Sequence, residues 1–164
     1  VESQPEGKLV RESAYEYSEL ALPNDSNGLG NVLGGKVMHL VDLAAAIAGL
    51  RHARGPVVTA SVDSFMFLQP VHIGELIILR AAVNRVFRTS MEIGVKVMTE
   101  NLLKGERRHT CSAYLTFVAI NAEGKAIPIV PVIPETDDEK RRYRQAADRR
   151  EARLVLRNKL KANG

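Results

Sequence analysis

Sulfur and large aromatic rings are scarce in this sequence, which has one Cys, no Trp, and four each of Tyr and Phe in 164 residues. The lone Cys111 cannot close an internal disulfide. Together with four dispersed His it leaves no ligand set for a thiolate zinc site, so no metal is expected. No apolar run reaches the roughly 18–20 residues of a membrane helix, and no signal-peptide pattern opens the chain. Membrane insertion is therefore not expected, and a soluble cytoplasmic domain is. Internal repeats and low-complexity tracts are also missing. What remains is 45% hydrophobic and 26% charged, the balance of a globular chain with its own core.

The net charge of +4 has one source. Residues 135–164 hold ten Lys/Arg and six Asp/Glu, so the rest of the chain is neutral. The basic excess belongs to an appendage, and the reading divides the chain into a domain over 1–134 and a charged helical extension over 135–164. The segment KRRYRQAADRREARLVLRNKL has a single aromatic and interleaved acids, which argues for an exposed helix covering a neighbour or a sheet edge rather than a nucleic-acid binder.

Residues 1–7 are polar and read as a frayed end, followed by a first strand within Lys8–Leu22. Pro23-Asn24-Asp25-Ser26-Asn27-Gly28-Leu29-Gly30 is a loop by composition. Val37–Leu50 reads VMHLVDLAAAIAGL, too long for a typical strand and rich in helix formers. Its apolar residues lie on almost every face, which predicts a helix wrapped by other structure. The pattern then switches to period two in Val57–Phe67, Leu76–Phe87, Met91–Glu100 and Arg107–Asn121. Pro128, Pro131 and Pro134 mark an extended exit, and Asp137–Leu160 reads as a polar helix capped by Thr136. One strand, one apolar helix and four successive strands predict an α+β fold with an antiparallel sheet.

Asp42 stands out because a carboxylate in an apolar helix is costly to bury unless it is paired, hydrogen-bonded or facing a cavity. The positions three and four residues away are Met38, His39, Ala45 and Ala46, so His39 is its one polar neighbour on the helix. Two readings follow: a carboxylate tied to backbone amides or His39, or an active-site acid, base or nucleophile. The loop before the helix, with Gly28, Gly30, Gly34 and Gly35, offers main-chain amides at a helix N-terminus, suited to an anion or a developing oxyanion. GLGNVLGG lacks the dinucleotide-binding spacing, and Gly35-Lys36 is followed by Val37 where a P-loop needs Ser or Thr. His39 reads as a hydrogen-bonded core residue, His52, His72 and His109 as boundary or surface residues, and Cys111 as structural.

Several blocks together resemble the hotdog-fold acyl-CoA thioesterases, in particular the bacterial broad-specificity acyl-CoA hydrolases and the cytosolic long-chain enzymes of animals. They are the run from Pro23 to Gly35, Val41-Asp42-Leu43-Ala44-Ala45, Arg51-His52-Ala53, Val58-Thr59-Ala60-Ser61-Val62-Asp63, Phe67-Leu68-Gln69-Pro70-Val71, Arg88-Thr89-Ser90-Met91-Glu92-Ile93-Gly94-Val95 and Pro128-Ile129-Val130-Pro131. They fall in the family's order across residues 8–134. The resemblance implies about five strands around one long central helix. It further implies a catalytic pair, Asn27 and Asp42, acting in one site from different protomers, with Gly34 and Gly35 at the thioester oxygen. Arg88, Thr89, Ser90 and Met91 match the segment associated with the coenzyme A arm. Coenzyme A is then part of substrate and product, no separate cofactor is implied, and the assembly is a homodimer grouped as a trimer of dimers. Arg149 and Arg150 in the basic helix are further candidates for the coenzyme A phosphates. The competing readings are a hotdog dehydratase/hydratase, which normally relies on a His-centred site, and a non-catalytic acyl-CoA or nucleotide-binding regulator.

Overall fold

The computed structural model describes residues 7–164. The expected frayed end lies outside these residues except for Gly7, which is buried; a Cβ there would stand 2.7 Å from the Pro131 carbonyl oxygen. The single strand expected within Lys8–Leu22 is broken in two. A short β1 (Lys8–Leu9) pairs in parallel with β7 (Val132–Ile133) in the proline-rich exit. A 3-10 turn at Val10–Glu12 then interrupts the run: Val10 drops into the core, and the Glu12 carboxylate accepts the Leu9 amide at 2.5 Å. The chain resumes as β2 (Tyr15–Leu20).

Helix α1 (Gly34–Ala53) is followed by β3 (Val57–Phe67), β4 (Leu76–Phe87), β5 (Ser90–Asn101) and β6 (Glu106–Ala119). The five-stranded sheet has the order β2-β4-β5-β6-β3, with antiparallel neighbours throughout, so β2 and β3 are its edges. α1 lies across one face. Val37, Leu40, Val41, Ala44, Ala45 and Ala48 meet the alternating Ile77, Leu79, Val83, Met91, Ile93, Leu115 and Phe117 of the sheet in one core. Contact is close enough that a Cβ on Gly49 would come within 3.1 Å of both Ile93 and Met91, so a smaller-than-alanine residue suits that turn of the helix.

The chain does not wrap α1 on every side. Met38, Leu43 and Leu50 are each nearly half exposed, as is the edge strand β3 at Val58, Val62 and Met66. The apolar residues on the helix's second face are therefore left partly uncovered among the described residues.

The opposite face of the sheet is crossed by α2 (Asp137–Ala162), whose first turn is closed by a reciprocal cap between Thr136 and Glu139. The helix lies on its own sheet. Ala146 is fully buried, and two ionic anchors replace a greasy interface. Arg149 grips the buried Glu92 with bonds of 2.7 and 3.0 Å, and Asn84 supplies a third donor to that carboxylate. Arg153 donates to Asp63 at 2.8 Å, whose other neighbours are the hydroxyls of Ser61 and Thr116. Bidentate and shared bonds of this kind satisfy the carboxylates that burial would otherwise penalise.

Candidate active site

The loop before α1 is a set of small turns. Gly28 and Gly30 have φ of 85° and 82°, a conformation that a side chain would strain. Asn27 accepts the Leu29 amide on its Oδ1 at 2.8 Å, and its backbone amide donates to the Asn31 carbonyl. Asn31 in turn accepts from His72 Nδ1 at 2.8 Å, and Val32 is bonded to Val71, so the loop is pinned to the segment before β4. Asn27 itself is exposed.

The helix starts earlier than expected, at Gly34 rather than Val37, so both glycines are in its first turn. The amides of Lys36 and Val37 turn back to the Leu33 carbonyl, while those of Gly34 and Gly35 lie at the open start of the helix, where the macrodipole is positive. A Cβ at Gly35 would meet nothing within 4 Å, and one at Gly34 would meet only the Phe67 ring. The main chain is therefore open to a ligand.

Two turns into the helix, Asp42 is half-buried, and its Oδ1 accepts the Thr59 hydroxyl from β3 at 2.8 Å. This contact answers the two sequence readings on one point: the carboxylate is tied neither to backbone amides nor to His39. Thr59 was not singled out from the sequence, although it stands in one of the blocks that carry the resemblance.

Asn27 and Asp42 are not joined within the chain. Asn27 belongs to the helix-start end, where Gly34 faces Phe67 at the last residue of β3; Asp42 faces Thr59 near the first. A cleft of about 640 Å³ on the α2 side of the sheet and one of about 330 Å³ between α1 and β2 are not lined by Asn27, Asp42, Gly34 or Arg88.

The β4–β5 turn carries Arg88 at a φ of 32°, in the left-handed region. Backbone bonds from Ile129 to the Arg88 carbonyl and from Ala119 to the Thr89 carbonyl hold it there. Arg88 is exposed, Thr89 and Ser90 are half-buried, and Met91 is fully buried against Gly49. Met91 thus shapes the core beneath the turn.

Other sequence expectations need correction. His39 is exposed and has no hydrogen bond among the described residues. His52 is fully buried: its Nε2 donates to the Val130 carbonyl at 2.8 Å, and its Nδ1 has no partner among the described residues. Burial pushes the His52 pKa down, partly opposed by that carbonyl. His72 is exposed and His109 is half-buried beside Ser112, as boundary residues should be. Cys111 is buried with its thiol pushed up to about 11 by desolvation, which suits a structural residue. Arg149 is consumed by Glu92 and lies over the Tyr114 ring, so it is not available to a phosphate; Arg150 stacks on Phe87. Among the described residues no His, Cys, Asp and Glu group has the geometry to hold a metal ion.

Comparison with known proteins agrees with the fold. Residues 29–106 match the family model of the thioesterase superfamily. A Bacillus subtilis (strain 168) protein named as an uncharacterized acyl-CoA thioester hydrolase, YkhA, is 39% identical over 135 residues, covering 82% of this chain and 78% of its own length. Mouse acyl-coenzyme A thioesterase 11 is 36% identical over 89% of this chain, which spans only 24% of that longer protein. Among solved structures, an apo-hexameric acyl-CoA thioesterase superposes with a TM-score of 0.88 at 40% identity, covering 91% of this chain and 97% of that one. An acyl-CoA hydrolase from Staphylococcus aureus in complex with butyryl coenzyme A, coenzyme A and coenzyme A disulfide superposes with a TM-score of 0.89 at 35% identity, covering 95% of each chain. Three structures of variants of that S. aureus enzyme superpose with TM-scores of 0.90, 0.89 and 0.91, each at 34% identity. With its sheet, its central helix and its extent of identity, the chain belongs to the hotdog-fold acyl-CoA thioester hydrolases.

Proposed function

We propose that this protein hydrolyses acyl-CoA to a free carboxylate and coenzyme A, in sites that two copies build together. The observation that carries the reading is Asp42, held by Thr59 on the uncovered face of α1 and next to an unpaired sheet edge. An open edge strand with exposed apolar residues invites pairing with another chain. Because β3 runs from the Asp42–Thr59 contact to the Gly34–Phe67 contact, antiparallel pairing of two β3 strands sets Asp42 of one copy beside the partner's helix start and loop. A two-fold pairing makes the same site twice. The exposed α1 faces of the two copies then cover each other, and a trimer of such dimers is the proposed assembly.

In this site the thioester oxygen takes bonds from the main chain at Gly34-Gly35, where charge develops as the carbonyl is attacked. One route has Asp42 remove a proton from water as the water oxygen bonds to the carbonyl carbon. The tetrahedral intermediate collapses with cleavage of the carbon–sulfur bond, and the proton held by Asp42 returns to the departing thiolate. The alternative is direct attack by Asp42 on the carbonyl carbon, which breaks the carbon–sulfur bond and releases the coenzyme A thiolate to take a proton from solvent. Water then cleaves the mixed anhydride left behind to the free acid and Asp42. Asn27 orients the water or the substrate through its amide. Arg88, exposed on its pinned turn, is placed for a phosphate of the coenzyme A arm, with Thr89 and Ser90 beside it. A cytoplasmic setting suits both the substrate and a reduced Cys111.

The test is release of coenzyme A thiol from short, medium and long acyl-CoAs by the wild type and by Asp42→Ala. A positioned general base contributes about 10²- to 10⁴-fold, so the variant should lose activity on that order while keeping its assembly. Near-normal turnover by Asp42→Ala would end this scheme. Hydration of an enoyl-CoA without thiol release would favour the dehydratase reading.

A further inference from the structure

The buried carboxylates of Glu92 and Asp63 anchor α2. Glu75, only 7% exposed, holds something else. It closes the connection between β3 and β4. Arg108 Nη2, from β6, donates to both of its oxygens at 2.9 and 2.8 Å. The same guanidinium donates to the Gln69 side chain and the Pro70 carbonyl, so both ends of residues 69–75 are tied to one side chain. Glu75 Oε2 also accepts the His72 amide at 3.0 Å. A charged acceptor strengthens such bonds, and burial makes their loss costly.

The loop that carries Asn27 hangs on this segment. Val32 donates to the Val71 carbonyl at 2.7 Å and Ile73 to the Gly30 carbonyl at 3.1 Å; between them His72 and Asn31 form a strand-like bridge. A side-chain bond crosses that bridge, from His72 Nδ1 to Asn31 Oδ1 at 2.8 Å. The Asn31 carbonyl in turn accepts the Asn27 amide at 2.8 Å. Gly28 and Gly30, both at positive φ, give the tip little stiffness of its own.

We propose that His72 is a positioning residue for Asn27, and that the buried Glu75–Arg108 pair is the foundation on which it stands. The path is short: Arg108 to Glu75, Glu75 to the His72 amide, the His72 ring to Asn31, and the Asn31 carbonyl to the Asn27 amide. His72 faces both ways along it. Its amide is fixed by a buried charge, and its ring sets Asn31, whose main chain carries Asn27. The Asn27 side-chain oxygen is spent on the Leu29 amide within the turn, so the side chain goes where the turn goes. Misplacing an orienting group slows the reaction even where substrate still binds. This inference rests on the orienting role proposed above for Asn27.

Amide hydrogen exchange and thiol release from an acyl-CoA, measured side by side, test this brace. His72 is exposed, so His72→Ala leaves the core untouched. Exchange at the Asn27 amide should quicken about fivefold in that variant, the loss of one ordinary hydrogen bond, while the β5 amides keep their rate. His72→Asn, whose amide nitrogen can take the place of Nδ1, should restore it. Glu75→Gln keeps an acceptor for the His72 amide but gives up the charge opposite Arg108, and should quicken exchange at both His72 and Asn27. In His72→Ala kcat should fall by a similar factor with KM nearly unchanged. In an Asn27→Ala background the same substitution should cost nothing further, because the group it positions is gone. Wild-type exchange at Asn27 in His72→Ala would overturn the proposal. So would an equal loss of kcat in both backgrounds, the mark of a general weakening of the fold. Wild-type exchange at both amides in Glu75→Gln would overturn its part as the foundation. Absence of thiol release by the wild type would instead remove the hydrolase reading, while the exchange rates still decide whether His72 holds the loop.

Discussion

One oxygen of Asp42 is occupied by the Thr59 hydroxyl, and in the proposed mechanism the other meets the substrate. A carboxylate at the end of a flexible side chain loses reactivity when it swings, so this bond is an orienting device. Thr59→Val preserves shape and removes the bond; kcat should fall roughly tenfold with KM nearly unchanged, the pattern of an interaction that matters in the transition state. Thr59→Ser should restore most of the rate, and failure of that rescue would show that the methyl group, not the hydroxyl, is what position 59 supplies. Asp42 could be picked out from the sequence because charge in an apolar helix is anomalous. Thr59 could not, since threonine is ordinary in a strand and only the fold brings it to the helix. The histidines show a missed signal. His52 continues the buried series Val41, Ala45, Ala48 at helical spacing, whereas His39 lies off that face, so periodicity already separated the buried ring from the exposed one.

At the scale of the elements, β3 and β4 were legible to the residue because period-two patterning ends sharply at turn residues. The start of α1 was displaced because Gly34 and Gly35 are poor helix formers, although a first turn tolerates them and gains open amides in return. The resting place of α2 was hidden for another reason: its contact face is built from arginines over Glu92 and Asp63, so no apolar stripe marks it. The last turn of α1 carries a pH dependence. His52 is held below its ordinary value of 6.5, chiefly by burial, so on acidification the unfolded chain takes up a proton before the folded one does. Stability should therefore be constant above neutrality and decline as pH falls below about 6.5, until the folded-state pKa is passed. Urea unfolding of the wild type and His52→Gln across pH 5 to 8 isolates this contribution; an unchanged slope in the variant would assign the decline to other groups.

For the whole molecule, the exposed α1 face and the open β3 edge are the two features on which the proposal of a shared site rests. Sequence periodicity could reveal an apolar helix but not that one of its faces stays exposed in the fold, and the Asn27–Asp42 partnership came from family likeness rather than from spacing. Two defective copies offer a direct check. If each site draws its Asn and Asp from different chains, as proposed, a dimer of one Asn27→Ala chain and one Asp42→Ala chain has one site with both defects and one with neither. Each pure variant should be nearly inactive, while an equal mixture refolded together should recover about a quarter of wild-type thiol release, half the dimers being mixed and each mixed dimer holding one sound site. If Asn27 and Asp42 instead act within the same chain, every site in the mixture retains one defect, and the recovered activity stays at the level of the separate variants.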